Sequence, residues 1–185
     1  MTKRALIVIA HGVEDIETVA QIDVLRRAEV EVTVASIESS KEIVAARGTR
    51  IVADCLFEDC ASQSYDLISL PGGLPGAERL RDYPPLIERL QQQKSSGGLF
   101  GAICASPVYV LQTHGLLEGH EATGFPALRD KLENPATPDQ KVVVSGNCIT
   151  SQGPATAIDY ALVLVEQLLD RKTRDQLAQD LLVAD

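Results

Sequence analysis

The sequence has no tryptophan, aromatic residues make up only 4% of it, and basic residues are scarce relative to acidic ones. The 17 lysines and arginines face 26 aspartates and glutamates, which leaves a net charge of −9. Proteins that bind nucleic acids neutralise phosphates with basic patches, and those that bind single strands stack bases on aromatic side chains. The composition therefore argues against a nucleic-acid partner.

Long apolar runs are also lacking. No stretch approaches the roughly 18 apolar residues of a membrane-spanning helix. The apolar run at residues 5–10 is too short for the core of a signal peptide. We therefore expect no membrane association and a cytoplasmic location. There, cysteines without the spacing of metal ligands stay reduced, and this applies to Cys55, Cys60, Cys104 and Cys148. With no phosphate-binding loop either, we expect neither a metal nor another cofactor.

The order of the predicted elements indicates an α/β fold. A chain of 185 residues suits a single domain over residues 1–185. Buried strands are predicted at residues 5–10, 31–35, 65–70 and 99–103, with a hairpin at 141–150. Amphipathic helices are predicted at residues 14–28, 86–94, 155–169 and 172–183. Strands that alternate with helices build a doubly wound, mostly parallel sheet with helices on both faces, a three-layer sandwich.

The segment at residues 99–111 combines a strand, a sharp turn and a helix. Its turn falls at Cys104, and Pro107 lies in the first helical turn, where a missing N–H is harmless. This is the arrangement of a nucleophile elbow with sulfur in place of oxygen. Helix N–H groups favour a thiolate, so the pattern predicts a low thiol pKa and a nucleophilic Cys104. The alternative is a buried thiol that packs as a small apolar group.

Two further turns are predicted to reach the same edge of the sheet. Gly72 and Gly73 follow Pro71 at the end of a strand, and two glycines let backbone N–H groups approach a ligand and stabilise an oxyanion. The turn before Pro154 also joins a strand to a helix and is predicted to line the same cleft. For each turn, a simple reversal of the chain without function is the alternative.

Glu17 is the candidate partner of the thiol. It shares an acidic first helical turn with Glu14 and Asp15, and the helix dipole alone would explain such a turn. The helical period of 3.6 residues turns Glu17 inward over the strand ends. A carboxyl group held beside a thiolate keeps its proton, donates a hydrogen bond to sulfur and serves as a general acid or base.

Several segments together resemble the DJ-1/PfpI (ThiJ) superfamily, and most closely its DJ-1/YajL-like branch. They are residues 3–19, the Leu-Pro-Gly-Gly of residues 70–73, the Ala-Ile-Cys-Ala of residues 102–105, and residues 150–157. The resemblance covers essentially the whole chain. It implies a flavodoxin-like fold, a homodimer and an oxidation-sensitive cysteine on a nucleophile elbow.

The resemblance also implies roles for single residues. Cys104 takes the position of the nucleophile, Glu17 that of its protonated partner, and the amides of Gly73 and Ala105 those of the oxyanion hole. Together with the two turns, the pocket is then expected to include Gly72, Arg27, Arg47, Phe125 and Pro154. Both arginines match positions near the rim of the pocket that faces the second subunit.

Phe125 stands where several relatives carry a histidine. The thiol then has no paired base except Glu17, which argues against protease or amidotransferase activity. His11, just after the first strand, is the histidine with a chance of reaching the cleft. His114 lies at a predicted helix end, where the helix dipole explains it without catalysis.

The resemblance implies two classes of function. The first is a cysteine-dependent, cofactor-free enzyme for reactive carbonyls, either a glyoxalase III-like converter of methylglyoxal into lactate or a deglycase for early glycation adducts. Its partners are small reactive aldehydes or glycated thiols and amines. The alternative is a redox-responsive chaperone or oxidative-stress sensor that works through a Cys104 sulfinate. A folded domain that has lost its enzymatic role is the third alternative.

Overall fold

A seven-stranded sheet runs through the middle of the computed structural model, which describes residues 2–183. In chain order the strands are β1 (Arg4–Ile9), β2 (Glu31–Ser36), β3 (Glu42–Val44), β4 (Arg50–Val52), β5 (Cys55–Leu56), β6 (Leu67–Leu70), β7 (Leu99–Ile103), β8 (Val142–Ser145) and β9 (Cys148–Ser151). The sheet has the order β5-β2-β1-β6-β7-β9-β8, and β3 and β4 form a separate antiparallel hairpin. Neighbours in the large sheet pair in parallel, except for the antiparallel pair of β8 and β9.

Helices flank the sheet. They are α1 (Asp15–Arg27), α2 (Phe57–Cys60), α3 (Gly76–Arg81), α4 (Pro84–Ser95), α5 (Ala157–Leu168) and α6 (Arg171–Asp180), with a π-helix at Pro107–Gln112 and 3₁₀-helices at Pro126–Lys131 and Pro154–Thr156. α5 packs against both α1 and α6, whereas α3 packs against α4 and the π-helix. Strands covered on both faces are buried along their whole length, as the four residues of β6 are. The predicted α/β fold with a mostly parallel, flavodoxin-like sheet is thereby confirmed.

The structure departs from the sequence patterns mainly after Cys104. The helix there is a π-helix, in which backbone N–H groups donate to carbonyl groups five residues earlier. The Thr113 hydroxyl at its end also donates to the Val108 carbonyl, at 3.2 Å. The patterns do not predict α2 and α3, because four and six residues are too few for a helical period to show. Within residues 2–183, no helix has the length and apolar character needed to cross a membrane.

Candidate active site

Two loops meet at the carboxyl edge of the sheet. β6 and β7 are parallel neighbours with Leu70 beside Ala102, so the residues that follow them leave the sheet side by side. Gly72 comes so close to the elbow that a Cβ atom on it would lie 2.6 Å from the Cβ of Cys104. Only a glycine permits this approach, and the structure therefore brings the predicted glycine turn against the predicted nucleophile.

Cys104 sits in a strained backbone conformation with a φ of 65°. This left-handed region costs a residue with a side chain of the order of 1–3 kcal/mol, so its surroundings must hold it there. Its N–H donates to the Ser151 carbonyl at 3.0 Å, and its carbonyl accepts from the Phe125 N–H at 2.7 Å. The residue is 8% exposed, which leaves it shielded but within reach of the surface.

Glu17 is completely buried in the first turn of α1. One carboxyl oxygen, Oε2, accepts the Gly72 N–H at 2.7 Å. The other oxygen, Oε1, is buried with no hydrogen-bond partner among residues 2–183. Capping of α1 is done by Glu14, whose carboxylate accepts the Glu17 N–H at 2.8 Å. The carboxyl group of Glu17 is therefore not the cap of α1, and its inward position needs another explanation.

Burial dominates the electrostatics of this pair. It raises the pKa of Glu17 from 4.5 to about 7, against the lowering effects of the Gly72 N–H and then of the Cys104 side chain. Burial, followed by the charge of Glu17, raises the pKa of Cys104 to about 12. The pair therefore releases one proton near neutral pH and resists the release of a second, because two adjacent buried anions repel each other.

The low thiol pKa expected from the helix N-terminus is consequently wrong. The N–H groups of Gly73 and Ala105 act on the sulfur and do lower the pKa of Cys104, but less than burial and Glu17 raise it. Gly72 also differs from expectation, since its N–H is occupied by Glu17 and is not available to an oxyanion. The two amides near the sulfur are those of Gly73 and Ala105.

Comparison with known proteins identifies the family. The sequence model of the DJ-1/PfpI family matches residues 3–167. The chain belongs to the DJ-1/PfpI family. Protein DJ-1 homolog B of Arabidopsis thaliana is 46% identical over 182 residues, which is 98% of this chain but 42% of that protein. The chain thus spans less than half of this relative's length.

Two other relatives match along almost their full length. The glutathione-independent glyoxalase DJR-1.2 of Caenorhabditis elegans is 37% identical over 185 residues, which is 98% of this chain and 97% of the relative. The structure of oxidized Toxoplasma gondii DJ-1 superposes with a TM-score of 0.95 at 42% identity and covers 98% of both chains. The resemblance to the DJ-1 proteins that the motifs indicate is confirmed.

Phe125 and Pro154 lie close to the elbow of this DJ-1/PfpI chain. The Phe125 N–H holds the Cys104 carbonyl, and its half-exposed ring would lie 3.6 Å from a Cβ atom on Gly153. Pro154 follows directly and begins the 3₁₀-helix before α5. The Phe125 ring therefore lies beside the turn that leads into Pro154.

The two predicted pocket arginines, Arg27 and Arg47, lie near opposite ends of α1. Arg27 is in the last turn of α1 and pairs with Asp23 at 2.7 Å. Ten residues separate it from Glu17, a distance of about 15 Å along a helix axis. The structure therefore does not place Arg27 in the pocket of its own chain. Arg47 follows β3, and its N–H donates to Asp15 at 2.9 Å, beside the first turn of α1 with its side chain exposed.

Each histidine is engaged away from Cys104. His11 accepts the Val44 N–H through Nδ1 at 3.0 Å and so supports the β3–β4 hairpin, not the cleft. His114 Nε2 lies 2.9 Å from the Arg81 carbonyl oxygen, and His120 Nδ1 lies 2.7 Å from that of Ser145. Within residues 2–183, no group of three or more His, Cys, Asp or Glu residues is arranged to hold a metal ion.

Two buried polar features escape the sequence patterns. Ser106 donates from Oγ to the Pro71 carbonyl at 2.6 Å. Behind Glu17, the Ser69 hydroxyl contacts Gln21 Oε1 at 2.5 Å and the Tyr160 hydroxyl at 2.8 Å. The inward position of Gln21, four residues after Glu17, is the signal that points to the second feature.

Proposed function

We propose that this chain is a cysteine-dependent enzyme that converts small reactive carbonyls without a cofactor, with glyoxalase III-like conversion of methylglyoxal into lactate as its reaction. The observation that supports this most is the completely buried Glu17 carboxyl group, which acts on the Cys104 thiol and whose Oε1 is bound by no other group of residues 2–183. A relative that matches along almost its full length is a glutathione-independent glyoxalase. Deglycation of early glycation adducts on thiols and amines would use the same sulfur atom, which forms its bond to the adduct carbon as the original thiol or amine leaves with the proton.

The first step joins the thiol to the aldehyde. Sγ of Cys104 adds to the aldehyde carbon of methylglyoxal while the thiol proton passes to Oε1 of Glu17. The aldehyde oxygen takes up negative charge, and the N–H groups of Gly73 and Ala105, which act on the sulfur, would donate to it. Glu17 then protonates this oxygen, which gives a hemithioacetal. A carboxyl group with a pKa of about 7 suits both directions of transfer at neutral pH.

The later steps move one proton between adjacent carbons. The Glu17 carboxylate removes the hydrogen from the carbon bonded to sulfur, which forms an enediolate with its negative charge on the former ketone oxygen. Glu17 returns this proton to the neighbouring carbon, while the hydroxyl proton of the first carbon passes to the former ketone oxygen and leaves a carbonyl group bonded to sulfur. The product is a thioester of lactate on Cys104. Water hydrolyses this thioester, so that one methylglyoxal and one water yield one lactic acid and the free thiol.

Lactate formation tests this function. Purified protein is incubated with methylglyoxal in the absence of glutathione, and lactate is measured over many turnovers. We expect turnover by the wild type and by Cys55→Ser, the matched cysteine control, and none by Cys104→Ser. Turnover that survives in Cys104→Ser, or its absence from the wild type, contradicts the proposal.

A redox role is the second candidate. Two equivalents of hydrogen peroxide each transfer one oxygen atom to sulfur and leave as water, which converts the Cys104 thiol into a sulfinic acid. A protonated Glu17 would then donate to a sulfinate oxygen, and the structural relative from Toxoplasma gondii is an oxidized protein. This role, as sensor or chaperone, predicts two added oxygens on the Cys104 peptide by mass spectrometry, with Cys148 unmodified. Equal oxidation of both cysteines contradicts it.

We further propose a homodimer through an apolar surface on α1. Ile16 and Val19 are 57% and 50% exposed, and with Ile158 they line an open depression of about 420 Å³. Thr49 also lines this depression, and Arg47 lies two residues before Thr49 in the chain. Light scattering is expected to give twice the chain mass for the wild type and a single chain for Val19→Glu; a monomeric wild type contradicts the proposal.

The four free cysteines suit a reducing compartment such as the cytoplasm.

A further inference from the structure

One peptide unit links the elbow helix to Glu17. The carbonyl of Pro71 accepts the Ser106 hydroxyl at 2.6 Å, and the N–H on the other side of the same peptide, that of Gly72, donates to Glu17 Oε2 at 2.7 Å. Ser106 and Glu17 are both completely buried, so water does not compete for either bond. A hydroxyl two residues after Cys104 therefore acts on the carboxyl group through a single intervening peptide.

A donor on the carbonyl side of a peptide changes its N–H side in two ways. It polarises the amide, which strengthens the N–H as a donor. It also fixes the plane of the peptide, and the flexible glycine that follows would otherwise allow this plane to rotate. Loss of the hydroxyl would leave the buried Pro71 carbonyl without this donor and the Gly72 N–H less well aimed at Glu17.

We propose that Ser106 is a positioning residue whose hydroxyl holds the Pro71–Gly72 peptide as a donor to Glu17 and thereby sets the pH at which this carboxyl group releases its proton. The inference deepens the proposed function, on which its catalytic meaning rests. The Ser106 side chain is completely buried and its hydroxyl donates to the Pro71 carbonyl, so its influence on Glu17 passes through this peptide.

The direction of the effect follows from the contacts of Glu17. The Gly72 N–H lowers the pKa of Glu17, so weakening this bond raises that pKa further. The other titratable groups that act on or respond to Glu17 are Cys104, Glu14 and Tyr160. Glu14 contacts the N–H of Glu17, and Tyr160 contacts Ser69, so neither bond involves the Ser106 hydroxyl.

The test follows the carboxyl carbon of Glu17 by ¹³C NMR while the pH is changed. Full-length protein labelled at glutamate carboxyl carbons carries Cys104→Ser, so that Glu17 titrates without the thiol, and Glu17→Gln assigns the signal. We expect Ser106→Ala to raise the midpoint of Glu17 by about 0.5–1 pH unit relative to this background. Ser106→Cys, which keeps a weak donor, is expected to give a smaller shift of the same sign and serves if the alanine variant does not fold.

Ser69→Ala is the matched control. It removes a hydroxyl that is equally buried and hydrogen-bonded behind Glu17 but does not touch the Pro71–Gly72 peptide. We expect a shift of less than about 0.2 pH unit from it. No shift in either Ser106 variant, or an equal shift in Ser69→Ala, overturns the proposal. Failure of lactate formation would instead refute the proposed function and leave this titration unchanged.

Discussion

Replacement of Gly72 by alanine is expected to damage stability and thiol reactivity together. The added methyl group would lie 2.6 Å from the Cβ of Cys104, 2.7 Å from the Ile103 carbonyl oxygen and 2.9 Å from the Ala105 nitrogen. Two of these three atoms belong to the backbone of the elbow. No side-chain rotation relieves the overlap, so the loops after β6 and β7 must move apart.

The size of the effect follows from this rigidity. Extra atoms in a well-packed core typically cost about 1–3 kcal/mol. Because the Gly72 N–H must also shift from Glu17, we expect the free energy of unfolding to fall by about 2–3 kcal/mol, near the upper end of that range. For a domain of this size, such a loss lowers Tm by roughly 4–12 °C.

Urea unfolding at fixed protein concentration and iodoacetamide labelling of Cys104 measure the two effects. Gly153→Ala is the control, because its backbone is extended and its methyl group would meet only the Phe125 ring at 3.6 Å. We expect it to change the free energy of unfolding by less than about 0.5 kcal/mol. A Gly72→Ala protein as stable and as reactive as this control would refute the reasoning.

Three other substitutions test separate contacts. Because folding raises the pKa of Glu17, protonated Glu17 contributes to the free energy of unfolding. This contribution is full below pH 4.5 and is lost as the pH rises through about 7, by about 3 kcal/mol in total. Urea unfolding should therefore show Glu17→Gln gaining stability over the wild type between pH 5 and pH 8, and a constant difference would contradict this. Tyr160→Phe removes the buried hydrogen bond to the Ser69 hydroxyl and should lower the free energy of unfolding by about 1 kcal/mol without changing the rate of Cys104 labelling. A changed labelling rate would show that the hydrogen bonds of Gln21, Ser69 and Tyr160 belong to the site. Arg27→Ala should change stability by less than about 0.5 kcal/mol and leave Cys104 labelling of the monomeric Val19→Glu protein unchanged; slower labelling there would place Arg27 in its own pocket.

Local patterns are sufficient for the elements that position the site. The period of α1 turns Glu17 inward, and the apolar runs of β6 and β7 lead to Gly72 and Cys104 at one edge of the sheet. These features depend on neighbours in sequence, which is why residue order alone predicts them. The same period makes Glu17 the candidate partner of the thiol, and the resemblance to DJ-1 proteins implies the same role for it.

Other features depend on distances between remote segments. The occupation of the Gly72 N–H by Glu17, across 55 residues, cannot be read from either segment alone. The predicted sign of the thiol pKa shift is wrong, because burial dominates this shift and only the packing of the whole chain determines burial. The resemblance implies that Arg27 lies at the rim that faces the second subunit, and within a single chain it lies in the last turn of α1.

The most direct measurement of the central claim is the pH dependence of Cys104 alkylation in the wild type and in Glu17→Gln, read from the labelled peptide by mass spectrometry. If Glu17 accepts the thiol proton, the wild-type rate rises with a midpoint near pH 7 and then levels off. In Glu17→Gln this step disappears, and the rate continues to rise by about tenfold per pH unit beyond pH 8. A midpoint near pH 7 in both proteins, or in neither, would contradict the account.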